Sequence, residues 1–250
     1  MDKVSIIIPY YKKKKYIQLT LNSILKQTYK NFEVFIVFDE ETKENLSFIN
    51  KLSKRDKRIK IIVNNKNLGA GFSRNKAIEK SRGKFIAFID ADDIWKKKKL
   101  ELQLKFMQRN NIKISHTSYE IIDEKNFKLG SRIARTFYNH QELLQSCDVG
   151  LSTVILKKNI LGKTLRFPPL KTKEDFVLWL NILLKGYKIY GFNKILSQWR
   201  SDKSSLSSSI YQKLIDGFRV YNIYMKFNFF VSLYFLIILS LNFLYKRFND

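Results

Sequence analysis

Through the first ninety or so residues, short runs of β-branched and aromatic residues alternate with stretches whose apolar positions recur every three or four residues. The first run, Val4-Ser5-Ile6-Ile7-Ile8-Pro9-Tyr10, is nearly all apolar and is stopped by proline, which predicts a parallel strand covered on both faces. Tyr16, Leu19, Leu21, Ile24 and Leu25 then fall at roughly helical spacing. A second strand is predicted over Phe32–Phe38, ending at Asp39, and Leu46, Ile49 and Leu52 mark a helix leading to a third strand at Ile59–Val63. A polar loop, residues 64–75, overlaps a helical pattern over Ala70–Lys80, and the run 84–89 makes a fourth strand. Four strands alternating with three helices imply βαβ units, whose ligands sit beyond the carboxyl ends of the strands.

The pattern loosens after Trp95. Residues 96–110 read as a helix, and Asp93 stands where it could cap a helix beginning at Ile94. Residues 113–122 and 127–137 read as an antiparallel pair turning at 123–126, residues 140–146 as a short helix, and 153–156 as another strand followed by a turn. A further helix opens near Lys171 and stops at Gly186, with Thr172 as its cap and Asp175 completing a capping box. The serine-rich stretch 197–209 is too polar to pack and is predicted to be a mobile loop. Residues 227–245 carry no charge, about the length needed to cross a bilayer, but Asn228, Ser232, Ser240 and Asn242 interrupt them. An interfacial anchor is expected in preference to a span, with a helix packed on the domain as the plain alternative.

Chemistry concentrates at the end of the fourth strand, where Asp90, Asp92 and Asp93 follow within four positions. Unpaired buried carboxylates are costly. A hard divalent cation, Mg²⁺ or Mn²⁺, partners them well and in turn holds substrate phosphates. With Asp39 delivered to the same sheet edge, the reading is a metal-assisted enzyme acting on a nucleotide diphosphate. Charge sharpens this: 47 Lys and Arg against 22 Asp and Glu give +25, which draws polyanions, an acidic membrane face or phosphorylated molecules. The single Cys147 excludes an internal disulfide and suits a reducing compartment, and a strand beginning at Val4 leaves no room for a signal peptide, so cytoplasmic work is expected. His116 and His140 lack ligand spacing and read as structural.

Taken together, Val4 to Tyr11, Ser23-Ile24-Leu25-Lys26-Gln27-Thr28-Tyr29, Phe32-Glu33-Val34 leading to Asp39, Asn67-Leu68-Gly69 with Ser73-Arg74-Asn75, Asp90-Ala91-Asp92-Asp93 and Glu174-Asp175 resemble the family 2 glycosyltransferases of GT-A fold, over residues 3 to about 205. The resemblance implies a Rossmann-like mixed sheet flanked by helices, with a C-terminal hydrophobic helical tail. It divides the chain into a nucleotide-sugar half at 1–110, an acceptor half at 111–209 and a membrane-associating helix at 210–250. Pro9, Tyr10 and Asp39 would hold the base, usually uracil. Arg74 would lie beside the nucleotide, with Asn67, Gly69, Ala91 and Glu174 in the same substrate-binding set. Asp90 would face ribose or metal water, and Asp92 would bind Mn²⁺ or Mg²⁺. Asp175 matches the catalytic base, and Arg200 a basic residue near the diphosphate. The implied reaction is inverting transfer from a nucleoside-diphosphate sugar to a saccharide or lipid-linked glycan at the anionic cytoplasmic membrane face, in surface-polysaccharide synthesis. The family's second strand usually ends in two acids followed by Gly-Ser, whereas this chain has Phe38-Asp39-Glu40-Glu41. Two rival readings are weaker. A sugar nucleotidyltransferase needs a Gly-rich loop after the first strand, where Pro9-Tyr10-Tyr11-Lys12 stands, and a basic nucleic-acid-binding protein would carry a recognition module that is not found here.

Overall fold

The structure is a computed structural model that describes residues 2–162, 164–202 and 210–249. The predicted first half is present as β1 (Val4–Tyr10), α1 (Ile17–Leu25), β2 (Phe32–Phe38), α2 (Lys43–Ser53), β3 (Ile59–Val63), α3 (Ala70–Lys80) and β4 (Phe85–Phe88). The strands lie parallel in the order β3-β2-β1-β4. Burial on both faces explains the largely apolar sequences of β1, β2 and β4. Ile6 and Ile8 face a core formed with Leu21 and Ile24 of α1 and Ile49 of α2, while the intervening Ile7 faces a second core with Ala77 and Ile78 of α3.

Tyr10 pairs with Phe38 and Ile7 with Phe88. Asp39 N donates to Tyr10 O at 3.0 Å and Ile89 N to Ile7 O at 3.2 Å. That register sets Asp39 and Asp90 at the same carboxyl edge.

The second half adds β5 (Ile94–Trp95), α4 (Lys99–Arg109), β6 (Ile114–Ile122), β7 (Lys128–Arg132), α5 (His140–Leu144), β8 (Ile155–Lys157), α6 (Glu174–Leu184) and β9 (Tyr190–Arg200). The sheet continues from β4 through β8, β6 and β9 to β5, with β7 paired to β6. After β9 come α7 (Ile210–Arg219), a π-helical turn (Val220–Tyr224) and α8 (Phe229–Asn249).

Several expectations are corrected. Residues 197–200 are not loop but the end of β9. Their polar groups are satisfied inside the sheet, as Ser197 Oγ donates to Ser152 O at 3.3 Å and Gln198 Nε2 to Glu120 at 2.9 Å. Residues 203–209 of that stretch lie outside the described residues. Asp93 caps no helix: Ile94 and Trp95 pair with β9, and α4 starts only at Lys99. The strand expected over 127–137 leaves the ladder after Arg132, because Ala134 N turns to Ser118 Oγ at 3.0 Å and Phe137 pairs singly with Ile189. Thr172 does not cap α6. Its N–H and hydroxyl both donate to Asp216 Oδ2 at 3.0 Å, and Lys173, in the left-handed region at φ 66°, occupies the cap position without a side-chain bond.

Candidate active site

Asp39 is buried and both its oxygens are engaged. Oδ1 accepts from Leu68 N and Asn64 Nδ2 at 2.8 and 2.7 Å, and Oδ2 from Gly69 N at 2.8 Å. Gly69 turns there at φ 84°, a conformation that favours glycine, and Asn67 Oδ1 closes the same turn by accepting from Gly69 N at 3.1 Å. The carboxylate therefore shapes the loop that opens α3. Tyr10 is fully buried and stacked on Phe38 at 5.7 Å. Burial holds its phenol above the ordinary range, and its hydroxyl has no hydrogen-bond partner among the described residues. Half-buried Pro9 precedes Tyr10 in β1.

Asn64 Nδ2 also bonds Ser73 Oγ at 2.9 Å, one residue from Arg74. Arg74 is the centre of the site. Its Nη1 donates to Glu174 Oε1 at 2.6 Å and its Nη2 to Asp90 Oδ1 at 2.8 Å, with the guanidinium 5.3 Å from the Phe167 ring centre. Burial opposes its charge, but Asp90 and Glu174 hold its pKa above the ordinary value. The side chain is thus a strut between the end of β4 and the start of α6. Glu174 is pushed up to about 7 by burial, against the pull of Arg74. Asp175 is raised as well, first by burial, with Arg74 and Lys173 drawing it down and Asp90 pushing it up. Its Oδ1 accepts from Phe176 N at 2.8 Å. Asp90, Arg74, Glu174 and Asp175 form one electrostatic unit although Arg74 and Glu174 lie 100 residues apart in the chain.

Asp92 is also raised, by burial and then by the charge of Asp90, while Lys13 opposes the shift. Lys13 Nζ lies 2.8 Å from both Asp92 Oδ2 and Asp202 Oδ2. Ala91 is buried, and its carbonyl accepts from Thr20 Oγ1 at 3.0 Å. Arg200 is buried rather than carried on a loose segment. Its backbone N–H donates to Asp93 Oδ1 at 2.9 Å, and its guanidinium to Asp92 O, Asp123 O and Asn126 Oδ1 at 2.9, 2.7 and 2.7 Å. It clamps the turn that carries Asp92. Ser152 completes the clamp, accepting from Asp90 N at 3.0 Å and donating to Asp93.

Three participants were not found in the sequence: Lys13, Asp202 and Ser152. Lys13 was hidden in a run of four lysines that reads as a solvated surface, and the other two sit in stretches without a motif.

The ammonium between two carboxylates is the test of whether a metal would fit. Among the described residues no three His, Cys, Asp or Glu side chains converge on one point. A divalent ion in a nucleotide site needs only one or two carboxylates, the rest coming from phosphate oxygens and water. Asp92, where Lys13 places a positive charge, meets that requirement.

A parallel α/β sheet with acids along its carboxyl edge, extended by strands of mixed direction and tied to an acid-bearing helix, defines the GT-A class of transferase fold. The TarS protein of S. aureus, solved in complex with UDP-GlcNAc, matches with a TM-score of 0.74 and 25% identity, over 89% of this chain and 65% of that one. The mannosyltransferase PcManGT of Pyrobaculum calidifontis, solved with GDP-Man and Mn²⁺, shares the fold with a TM-score of 0.69 at 14% identity, over 91% of this chain and 65% of that one. The chain thus spans just under two thirds of those solved chains. In sequence it is 39% identical over 213 residues to the Escherichia coli UDP-Glc:alpha-D-GlcNAc-diphosphoundecaprenol beta-1,3-glucosyltransferase WfgD, covering 84% of this chain and 82% of WfgD. The model of glycosyl transferase family 2 matches residues 5–163, and the chain belongs to that family of glycosyltransferases.

Proposed function

We propose that this glycosyltransferase moves a sugar from a nucleoside diphosphate, most simply UDP, onto a hydroxyl of a lipid-linked saccharide during surface-polysaccharide synthesis, with inversion at the anomeric carbon. The observation that carries the reading is the Arg74 strut, which sets Asp90 of the donor edge against the Glu174-Asp175 pair of α6. In this reading residues 1–110 hold the donor, 111–209 the acceptor, and 210–250 the membrane. Asp175 accepts the proton of the acceptor hydroxyl as it attacks the anomeric carbon from the face opposite the departing diphosphate. A single displacement inverts configuration, by the logic that governs inverting glycosidases.

Asp92 would hold Mn²⁺ or Mg²⁺, which supplies positive charge for the diphosphate leaving group. Arg200 keeps the Asp92 turn in place, and Asp39 with Asn67 and Gly69 keeps the base-side loop in place. Likeness to WfgD supports a UDP-sugar donor and a diphosphate-linked polyprenyl acceptor. The +25 charge and the apolar α8 support work at an anionic cytoplasmic membrane face; nucleic acid has no part in the reading.

The test is a panel of radiolabelled UDP- and GDP-sugars with a polyprenyl-diphosphate saccharide, with and without Mn²⁺ or Mg²⁺. Metal-dependent transfer from one donor supports the reading. Binding of no nucleotide sugar under any condition overturns it.

A further inference from the structure

Resting on the membrane reading just given, we infer that α7 and α8 form an in-plane anchor, half sunk in the leaflet that faces the enzyme, and that α8 does not cross the bilayer. The helix has two unlike sides. One is docked along its length: Ser232 is fully buried, Leu239 enters the main core, and Phe235 stacks on Tyr221 and Phe227 at 5.4 and 5.5 Å. The polar residues that interrupt the apolar run are bonded within the protein. Ser232 donates to Asn228 O at 2.8 Å, Ser240 to Leu236 O at 2.8 Å, and Asn242 to Gln145 O at 2.8 Å.

The other side is bare. Phe230, Tyr234, Ile237 and Leu241 follow at helical spacing and are exposed, as are Ile210 and Tyr211 of α7. Only 11% of the Phe229–Lys246 window is buried in the protein. A patch of this size in water marks an interaction surface.

Topology follows from where the helix is fastened. Its start is held by Tyr221 and Phe227, and its end by Lys246, which bonds Ser146 and Asp148. A spanning helix carries its far end about 30 Å away, to the opposite side of the membrane. Here both ends are pinned to one globular body, so the apolar face can enter lipid only sideways. Charge selects the occupant: Lys226 and Lys246 flank the face, Lys213 reaches over Phe243 at 5.2 Å, and the chain as a whole is strongly basic, which suits anionic headgroups and would repel a second copy.

The experiment uses the full chain with a protease-cleavable tag after Asp250, mixed with sealed phosphatidylcholine vesicles with and without phosphatidylglycerol. The expected result is flotation with the anionic vesicles and complete tag removal by protease added outside. Flotation with a protected tag means that α8 spans, which overturns the inference and leaves the membrane reading standing. No flotation, or self-association in its place, overturns both. Ile237→Glu with Leu241→Glu, changed on the bare side, should keep the thermal midpoint and lower vesicle partitioning at least about tenfold. Unchanged partitioning of this folded variant would also overturn the inference.

Discussion

Replacing Arg74 by Met tests whether the strut holds the site together. Methionine keeps much of the length and apolar bulk of the stem but removes two charge-assisted hydrogen bonds, at 2.6 and 2.8 Å. Each such bond contributes about 1.5–3 kcal/mol. Removing one partner of a buried ion pair generally costs about 3–5 kcal/mol, because the surviving charge is left without compensation. Glu174 is that survivor, with a side chain only 11% exposed, but its pKa, already about 7, rises further without Arg74 so that it takes up a proton near neutral pH, and Asp90 at 34% regains some water; both effects point to the lower end of the range.

A loss of about 3 kcal/mol leaves a folded protein when total stability is about 5–15 kcal/mol. The urea midpoint should then fall by about 1 M or more, for a slope of about 2–3 kcal/mol/M. Adding Glu174→Gln should restore part of the loss, since the stranded carboxylate is gone. Activity supplies a second readout. In the proposed mechanism Asp175 acts as the ionised base, so the rate should rise as pH climbs through its folded-state pKa. Arg74 draws that pKa down, and its removal should move the acidic limb of the pH–rate profile to higher pH. A midpoint within about 0.2 M of wild type together with an unmoved limb would refute the strut.

Three further outcomes are expected. Asp175→Asn and Asp92→Ala should each reduce turnover at least about 100-fold in a transfer assay, the usual scale for one acid-base or electrostatic group. Lys13→Met should tighten Mn²⁺ binding roughly fivefold, read from the free-ion signal in electron paramagnetic resonance, because an ammonium 2.8 Å from Asp92 and Asp202 competes for the same carboxylates; equal or weaker binding would argue that the lysine and the ion do not share the site. Gly83→Ala should lower stability by about 1–3 kcal/mol in thermal melts, since its Cβ would stand 2.5 Å from Ser5 N and 2.7 Å from Ser5 Oγ.

How far the sequence carried depended on the distance over which each residue finds its partners. The strands β1, β2 and β4 were legible because each is buried on both faces and its composition announces that, while the edge strand β3 is only partly buried. The position of Asp39 and Asp90 at the carboxyl edge was legible from the ends of β2 and β4, whereas a role for Asp175, on α6, came only from the resemblance. β9 was not legible, since Ser197 and Gln198 look like loop until Ser152 and Glu120 stand opposite them. Thr172 looked like a local cap because its partner, Asp216, is 44 residues away and a local pattern was the only one on offer. Arg200 matched a basic residue of a flexible segment, yet Asp123 and Asn126 in the β6–β7 turn draw it into the interior. In the tail, Ser232 and Asn242 looked like flaws in a span, yet Ser232 bonds the Asn228 carbonyl one turn back and Asn242 the Gln145 carbonyl of the body it lies on.

The way α8 is seated bears on how the enzyme can be handled. On the membrane reading proposed above, cutting the chain before residue 226 is the obvious route to a detergent-free preparation, but it would strip the cover from Tyr221 and Val220, which are wholly enclosed, and pull Leu239 out of the largest apolar cluster. Such a truncation would exchange one sticky surface for another. Trimming the outward side chains, while keeping the seat intact, is the better path to a soluble form.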